Sequence, residues 1–316
     1  MSLANQIVKD VIYRVIKGED YRVVIVNSIN AEFLQFSIDF FKRIVAAKLK
    51  SKNISIDWYK KAFISNPLSS DEIAINAGIN KKTITNMRGL ATKSIVIDAA
   101  NEHFDYLYDT ILNLVKSSND IELTLTIRFN GVSVDLSVSE SLVVINTLAV
   151  KRAQLKGGLW SAIGKSAEKY IVLALCKLYG VSDQYYDASR FVKDKQKAVD
   201  REIDFYLLSN KKKYRCEIKL MGKGNPESTD AIIARGSKVF VADTFSLQNK
   251  SQCGELGVYW VALRDKNGFR RFKTILKTLN IPHNDYLGNL DIDLPPILDE
   301  LFAKKGIASI NKNSAK

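Results

Sequence analysis

The sequence predicts a mixed fold of the α+β or α/β class, with a sheet-containing core behind an all-helical N-terminal domain. Three observations carry that prediction. Apolar residues recur at three- and four-residue spacing through the first 115 positions, as in "IVKDVIYRVI", "AEFLQFSIDFFKRIVAAKLK" and "AANEHFDYLYDTILNLVK". From residue 151 the pattern turns into helix, strand, strand, helix, strand. Between them lies a sharply alternating stretch, "IELTLTIRFNGVSVDLSVS". The expected domains are a helical one over 1–118, a hairpin and connector over 119–150, and a sheet-containing one over 151–316.

The alternating stretch is a hairpin with a two-residue type I′ turn at Asn130-Gly131, residues that tolerate the positive φ such a turn needs. Leu123, Leu125, Ile127 and Phe129 then share a face with Val132, Val134, Leu136 and Val138. Further on, "GLWSAIGKSAEKYIVLALCKLYG" predicts a helix ending at Gly180. "REIDFYLL" and "KYRCEIKL" are strands joined by a short turn over 209–212, "ESTDAIIAR" a short helix, and "SKVFVAD" a buried strand. "SLQNKSQCGELG" predicts a helix and "VYWVAL" a last strand, before a polar, frayed tail, "FAKKGIASINKNSAK".

Composition narrows the function classes. No apolar run approaches a membrane span, and the N-terminus lacks the apolar core of a signal peptide, so a cytoplasmic protein is expected. Three scattered cysteines and two histidines argue against a disulfide framework and against a histidine- or cysteine-built metal centre. Charge is uneven. Residues 1–150 hold 17 Lys and Arg against 16 Asp and Glu, whereas residues 151–316 hold 30 against 18, a net of +12. A polyanion partner for the C-terminal half follows, with a plain solubility charge as the alternative.

"SDEIAINAGINKKTITNMRG", residues 70–89, fits a helix-turn-helix. Ala74 supplies the small residue where two helices touch and Gly78 the turn; Ile73, Ala77, Ile79, Ile84 and Met87 fall where the inter-helix core is needed. The second helix presents Lys81, Lys82, Thr83, Thr85, Asn86 and Arg88, types that reach phosphates and base edges in a major groove. A purely architectural helix pair is the alternative.

Glu217-Ile218-Lys219 is the one Asp/Glu-x-Lys triplet in the chain. Alternation puts Arg215, Glu217 and Lys219 on one strand face. If 209–212 form a four-residue turn, Leu208 pairs with Lys213, and counting back sets Asp204 across from Glu217. Facing carboxylates repel unless a cation lies between them, and such oxygen ligands suit Mg²⁺. Lys219, one pleat on, then has a water to orient or a phosphate oxygen to stabilise. Glu168, three residues before Ile171 on the preceding helix, borders the same strand face. The alternative is a solvated charge cluster in which Lys219 neutralises the acids.

A helix with Glu, a strand with Asp, a strand with Glu-x-Lys, then helix and strand: this order resembles the PD-(D/E)XK nuclease core over roughly residues 155–265. The resemblance implies Mg²⁺ held by Asp204 and Glu217, with Lys219 assisting the attacking water and Glu168 joining the catalytic set. Ile203 stands where the family motif has Pro, which leaves Asp200 as a second candidate for the metal-binding Asp. The run "REIDFYLL…YRCEIKLMGKGNPESTDAIIARGSKVFVADT" is similar to CfrBI-type restriction endonucleases, which cut double-stranded DNA at short sites. In that resemblance Lys223, Asn225 and Ser228 contact DNA. It implies a type II, Mg²⁺-dependent enzyme acting as a homodimer on palindromic DNA, with a cognate DNA methyltransferase encoded nearby. Two other readings stay open: a non-catalytic helix-turn-helix regulator, and a structure-directed repair or recombination nuclease.

Overall fold

A computed structural model of the chain describes residues 3–50, 55–117, 123–188, 205–209, 212–220 and 236–303. The chain divides into two compact units, Met1–Asn27 together with Trp160–Lys316, and Ser28–Leu159. These limits differ from lines drawn at 118 and 150. The first helix belongs with the sheet-containing residues, and the hairpin with the helical ones.

The helical unit is built from most of α2 (Arg22–Lys50), α3 (Ile56–Phe63), α4 (Ser70–Asn76), α5 (Lys81–Arg88) and α6 (Lys93–Ser117). It also holds the hairpin of β1 (Leu125–Phe129) and β2 (Val132–Leu136) and the first part of α7 (Val138–Leu178). The short helices start where side chains satisfy their free N–H groups. Ser55 caps α3, Asn80 caps α5, and Ser69 forms a reciprocal capping box with Glu72 on α4. Gly89 ends α5 in the left-handed region. Stacked Tyr59 and Phe104 rings, with centroids 4.7 Å apart, sit in the core beside Phe40, Phe63, Ile73 and Ile84. The hairpin has the expected register, Leu125 with Leu136, Ile127 with Val134 and Phe129 with Val132. Asn130 at φ 49° and Gly131 at φ 78° form its turn.

The second unit centres on a five-stranded mixed sheet in the order β3 (Tyr186–Asp187), β4 (Phe205–Ser209), β5 (Lys212–Lys219), β6 (Val239–Ala242) and β7 (Tyr259–Ala262). β3, β4 and β5 are antiparallel neighbours, while β5, β6 and β7 run parallel. The expected hairpin register holds, with Leu208 opposite Lys213 and Phe205 opposite Cys216. Helix α8 (Leu247–Glu255) links β6 to β7, and α9 (Arg271–Thr278) and α10 (Leu290–Ala303) follow. The α10 carboxylates meet α1 (Leu3–Lys17): Lys9 pairs with Asp299, Lys17 pairs with Asp291, and the Tyr13 hydroxyl donates to Asp291 at 2.6 Å. Phe302, at the start of the stretch expected to fray, stacks on Tyr170 at 4.4 Å.

Two expectations about helices need correction. The helix expected from residue 158 begins at Val138 and runs through Gly157-Gly158. Each helix-interior glycine costs about 1 kcal/mol, which packing of the flanking turns outweighs. Near its C-terminal end α7 is buried all round, with Ile171, Val172, Ala174, Leu175 and Cys176 each fully inaccessible. Met87, expected in the core between α4 and α5, is 69% exposed, because Ile84 alone supplies the buried face of the two-turn α5.

Candidate active site

β5 ends at a cluster of charged side chains. Its central residues Cys216, Glu217 and Ile218 are all buried, so both faces of the strand are covered at this point. Lys219, the last residue of β5, keeps about a third of its side chain exposed (33%), whereas the Glu217 side chain is 1% exposed. The Lys219 ammonium lies 3.7 Å from Glu217 Oε1 and 3.4 Å from Glu168 Oε2. Glu168 also ties helix to strand, its Oε1 accepting the Leu220 backbone N–H at 3.2 Å. One ammonium thus bridges two carboxylates held away from water, where charge interactions act through a low effective dielectric.

Three of the four residues expected in the catalytic set, Glu168, Glu217 and Lys219, therefore come together. Asp204 lies outside the described residues, as do Asp200, Lys223, Asn225, Ser228 and the helix expected over "ESTDAIIAR". Among the described residues, no three His, Cys, Asp or Glu side chains are grouped to hold a metal ion. Glu168 and Glu217 contribute carboxylate oxygens, the donor type that hard divalent cations prefer.

Asp243 escaped the sequence reading. It follows β6, its backbone N–H facing the Lys219 carbonyl at 3.4 Å, and its side chain is fully buried. The Tyr21 hydroxyl donates to it at 3.2 Å, and burial, then the Asp243 charge, holds that hydroxyl above the ordinary phenol range. The available signal was an apolar strand, "VFVA", ending in a carboxylate at the same end of the parallel sheet as Glu217 and Lys219.

The cysteines offer no competing chemistry. Burial pushes the Cys253 thiol up to about 11 and holds Cys176 and Cys216 well above the ordinary thiol range, which disfavours the thiolate form.

In the helical unit, Gly78 sits at φ +82° in the turn between α4 and α5, and Ala74 is fully buried beneath it. Lys82, Thr85, Asn86 and Arg88 are exposed, while Lys81 and Thr83 are half-buried. Several polar groups have local partners. The Thr83 hydroxyl donates to the Asn80 cap at 3.1 Å, the Thr85 hydroxyl to the Lys81 carbonyl at 3.0 Å, and Arg88 pairs with Glu102.

The CfrBI restriction endonuclease family model matches residues 5–250, a span that takes in the helical unit, Glu168 and the Glu217–Lys219 strand. The chain belongs to the CfrBI restriction endonuclease family. Membership implies a nuclease that binds DNA. No curated protein and no solved structure matches the chain significantly. Among the described residues, no helix is long and apolar enough to cross a membrane.

Proposed function

We propose that this member of the CfrBI family is a divalent-metal-dependent type II endonuclease that hydrolyses phosphodiester bonds of double-stranded DNA at a short specific site. The observation that carries the reading is Lys219, its ammonium set between the buried carboxylates of Glu168 and Glu217 and still partly open to solvent. A strand that served only as scaffold would have no use for that arrangement, since burying charge costs stability.

Glu217 and Asp204 would hold the ion, with Glu168 beside them in the catalytic set, and Mg²⁺ suits such oxygen ligands. When bound, such an ion lowers the pKa of a coordinated water and offsets negative charge developing on the phosphate. The chain's own residues supply the rest. The two glutamates hold the Lys219 ammonium in place, and its N–H groups are available to orient the attacking water and to donate to a phosphate oxygen. The sheet and α7 shield the Glu217 side of the site from bulk water.

In the same reading, α4 and α5 form a helix-turn-helix. Lys82, Thr85 and Asn86 on its outer face approach the major groove, with Lys81, Thr83 and Arg88 flanking them. A palindromic site calls for a two-fold dimer, each copy cutting one strand, and for a partner methyltransferase that protects host DNA.

The test is plasmid cleavage with Mg²⁺ or with EDTA, by the unmodified protein and by Lys219→Ala. Discrete fragments only from the unmodified protein with Mg²⁺ support the proposal. Intact plasmid in every lane sinks it, and a smear points to a nuclease without site specificity.

A further inference from the structure

Residues 264–277 carry six basic side chains and one acidic, and they lie beyond the residues 5–250 matched by the family model. The fold sorts these charges. α9 turns Phe272, Ile275 and Leu276 into the core and leaves Arg271, Thr274, Lys277 and Thr278 outside, with Arg270 exposed just before it. Lys273 is taken up by Asp285 at 2.7 Å, and the neighbouring Lys250 of α8 by Asp265 at 2.9 Å. Among the described residues, Arg270, Arg271 and Lys277 form no ion pair.

The position of this surface is set by two contacts. A Cβ at Gly268 would fall 1.8 Å from the Ala262 carbonyl oxygen, so only glycine lets the turn before α9 close onto the end of β7. Arg271 then lies over the Trp260 ring of β7, its guanidinium 3.5 Å from the ring centroid. Trp260 pairs laterally with Phe240, and Phe240 with Glu217. Laterally paired residues of parallel strands point to one face, and strands lie about 4.8 Å apart. Trp260 is therefore on the Glu217 face of the sheet, about 10 Å across from it. A guanidinium stacked on an aromatic ring is held in place while its edge keeps N–H donors for a second partner.

We propose that Arg271, anchored on Trp260, acts with Arg270 and Lys277 as a clamp for the DNA sugar-phosphate backbone flanking the cut, on the β7 side of the catalytic cluster. The inference rests on the nuclease reading only in taking DNA as the polyanion. Its contribution is affinity and position rather than chemistry, and it reads charge rather than sequence.

Binding of a duplex oligonucleotide in EDTA, followed by fluorescence anisotropy across a salt series, tests the clamp without any cleavage. Arg270→Gln/Arg271→Gln/Lys277→Gln is compared with wild type and with Lys50→Gln/Lys61→Gln/Lys116→Gln, which removes equal charge from exposed positions of the helical unit. The first variant is expected to make log K against log salt shallower by roughly 2 to 3, because each lost phosphate contact removes about 0.9 from the slope. The second is expected to change the slope by less than about 1. Arg270→Gln/Lys277→Gln keeps the stack on Trp260 and is expected to lose roughly 2, which separates lost contacts from a disturbed fold. Equal losses in the two triple variants, or an unchanged slope in the first, overturn the clamp. Plasmid left intact in Mg²⁺ would remove the nuclease reading and leave this result standing.

Discussion

Both units bury neutral polar side chains, but among the described residues only the sheet unit also buries carboxylates. Among the described residues of the helical unit, the buried polar side chains, Ser37, Asn76, Ser141 and Thr147, are neutral. The Tyr59 hydroxyl donates to the Asn76 carbonyl at 2.9 Å, and Asn76 Nδ2 donates to the Phe63 carbonyl at 2.9 Å. These bonds join α3 to the end of α4. The sheet unit buries neutral Ser209, Ser237 and Asn249 as well, and adds the carboxylates of Glu168, Glu217 and Asp243, the first two gathered with Lys219 at the end of a strand. Neutral bonded pairs hold a fold together, whereas clustered buried charge costs stability.

Four substitutions break or sharpen that contrast. The largest effect is expected from Glu217→Gln, which should lower the cleavage rate by a factor on the order of 10³ while keeping or raising Tm. Single-turnover cleavage and thermal melting measure the two sides, and a large fall in Tm would place Glu217 among structural residues. Asn76→Ala should do the reverse. Removing the Nδ2 donor strands the Phe63 carbonyl and costs about 2 kcal/mol of stability, with the cleavage rate per folded molecule unchanged. Ser69→Ala deletes the α4 cap and should cost about 1 kcal/mol in denaturant unfolding.

The Ser69 hydroxyl and backbone N–H hold the Glu72 carboxyl below the usual range, so the capping box stabilises above the unfolded glutamate pKa of about 4.3. That contribution is lost as pH falls through the folded pKa. In Ser69→Ala the Glu72 titration, followed by NMR, should move up toward the ordinary value. Arg88→Gln should have the smallest effect on stability, under about 0.5 kcal/mol, because both it and Glu102 are largely exposed. If α5 enters the major groove, the same variant weakens DNA binding.

Much of the sheet unit was legible because strand period and turn length leave little freedom. Counting across a four-residue turn gives the pairing of Leu208 with Lys213, and alternation alone sets Glu217 and Lys219 on one face. The Asn130-Gly131 turn is equally determinate. Positions fixed by tertiary packing were not legible. Nothing local in Gly157-Gly158 says that α7 continues, and Pro295 and Pro296 argue against a helix that Leu294, Leu298 and Phe302 nonetheless hold against the core. Met87 repeats with Ile84 as a core residue would, yet α5 ends at Gly89 before a second buried turn forms. Asp243 went unnoticed because its meaning depends on Tyr21, more than two hundred positions away in the chain.

The three buried thiols have a practical consequence. With Cys176, Cys216 and Cys253 all inaccessible and held protonated, the native surface among the described residues offers maleimides no cysteine to attack. A single cysteine introduced on α5 or α9 would then be a unique attachment point for a fluorophore or a DNA-tethered crosslinker. Both candidate DNA-facing helices can be mapped in this way without first stripping the core of its own sulfur.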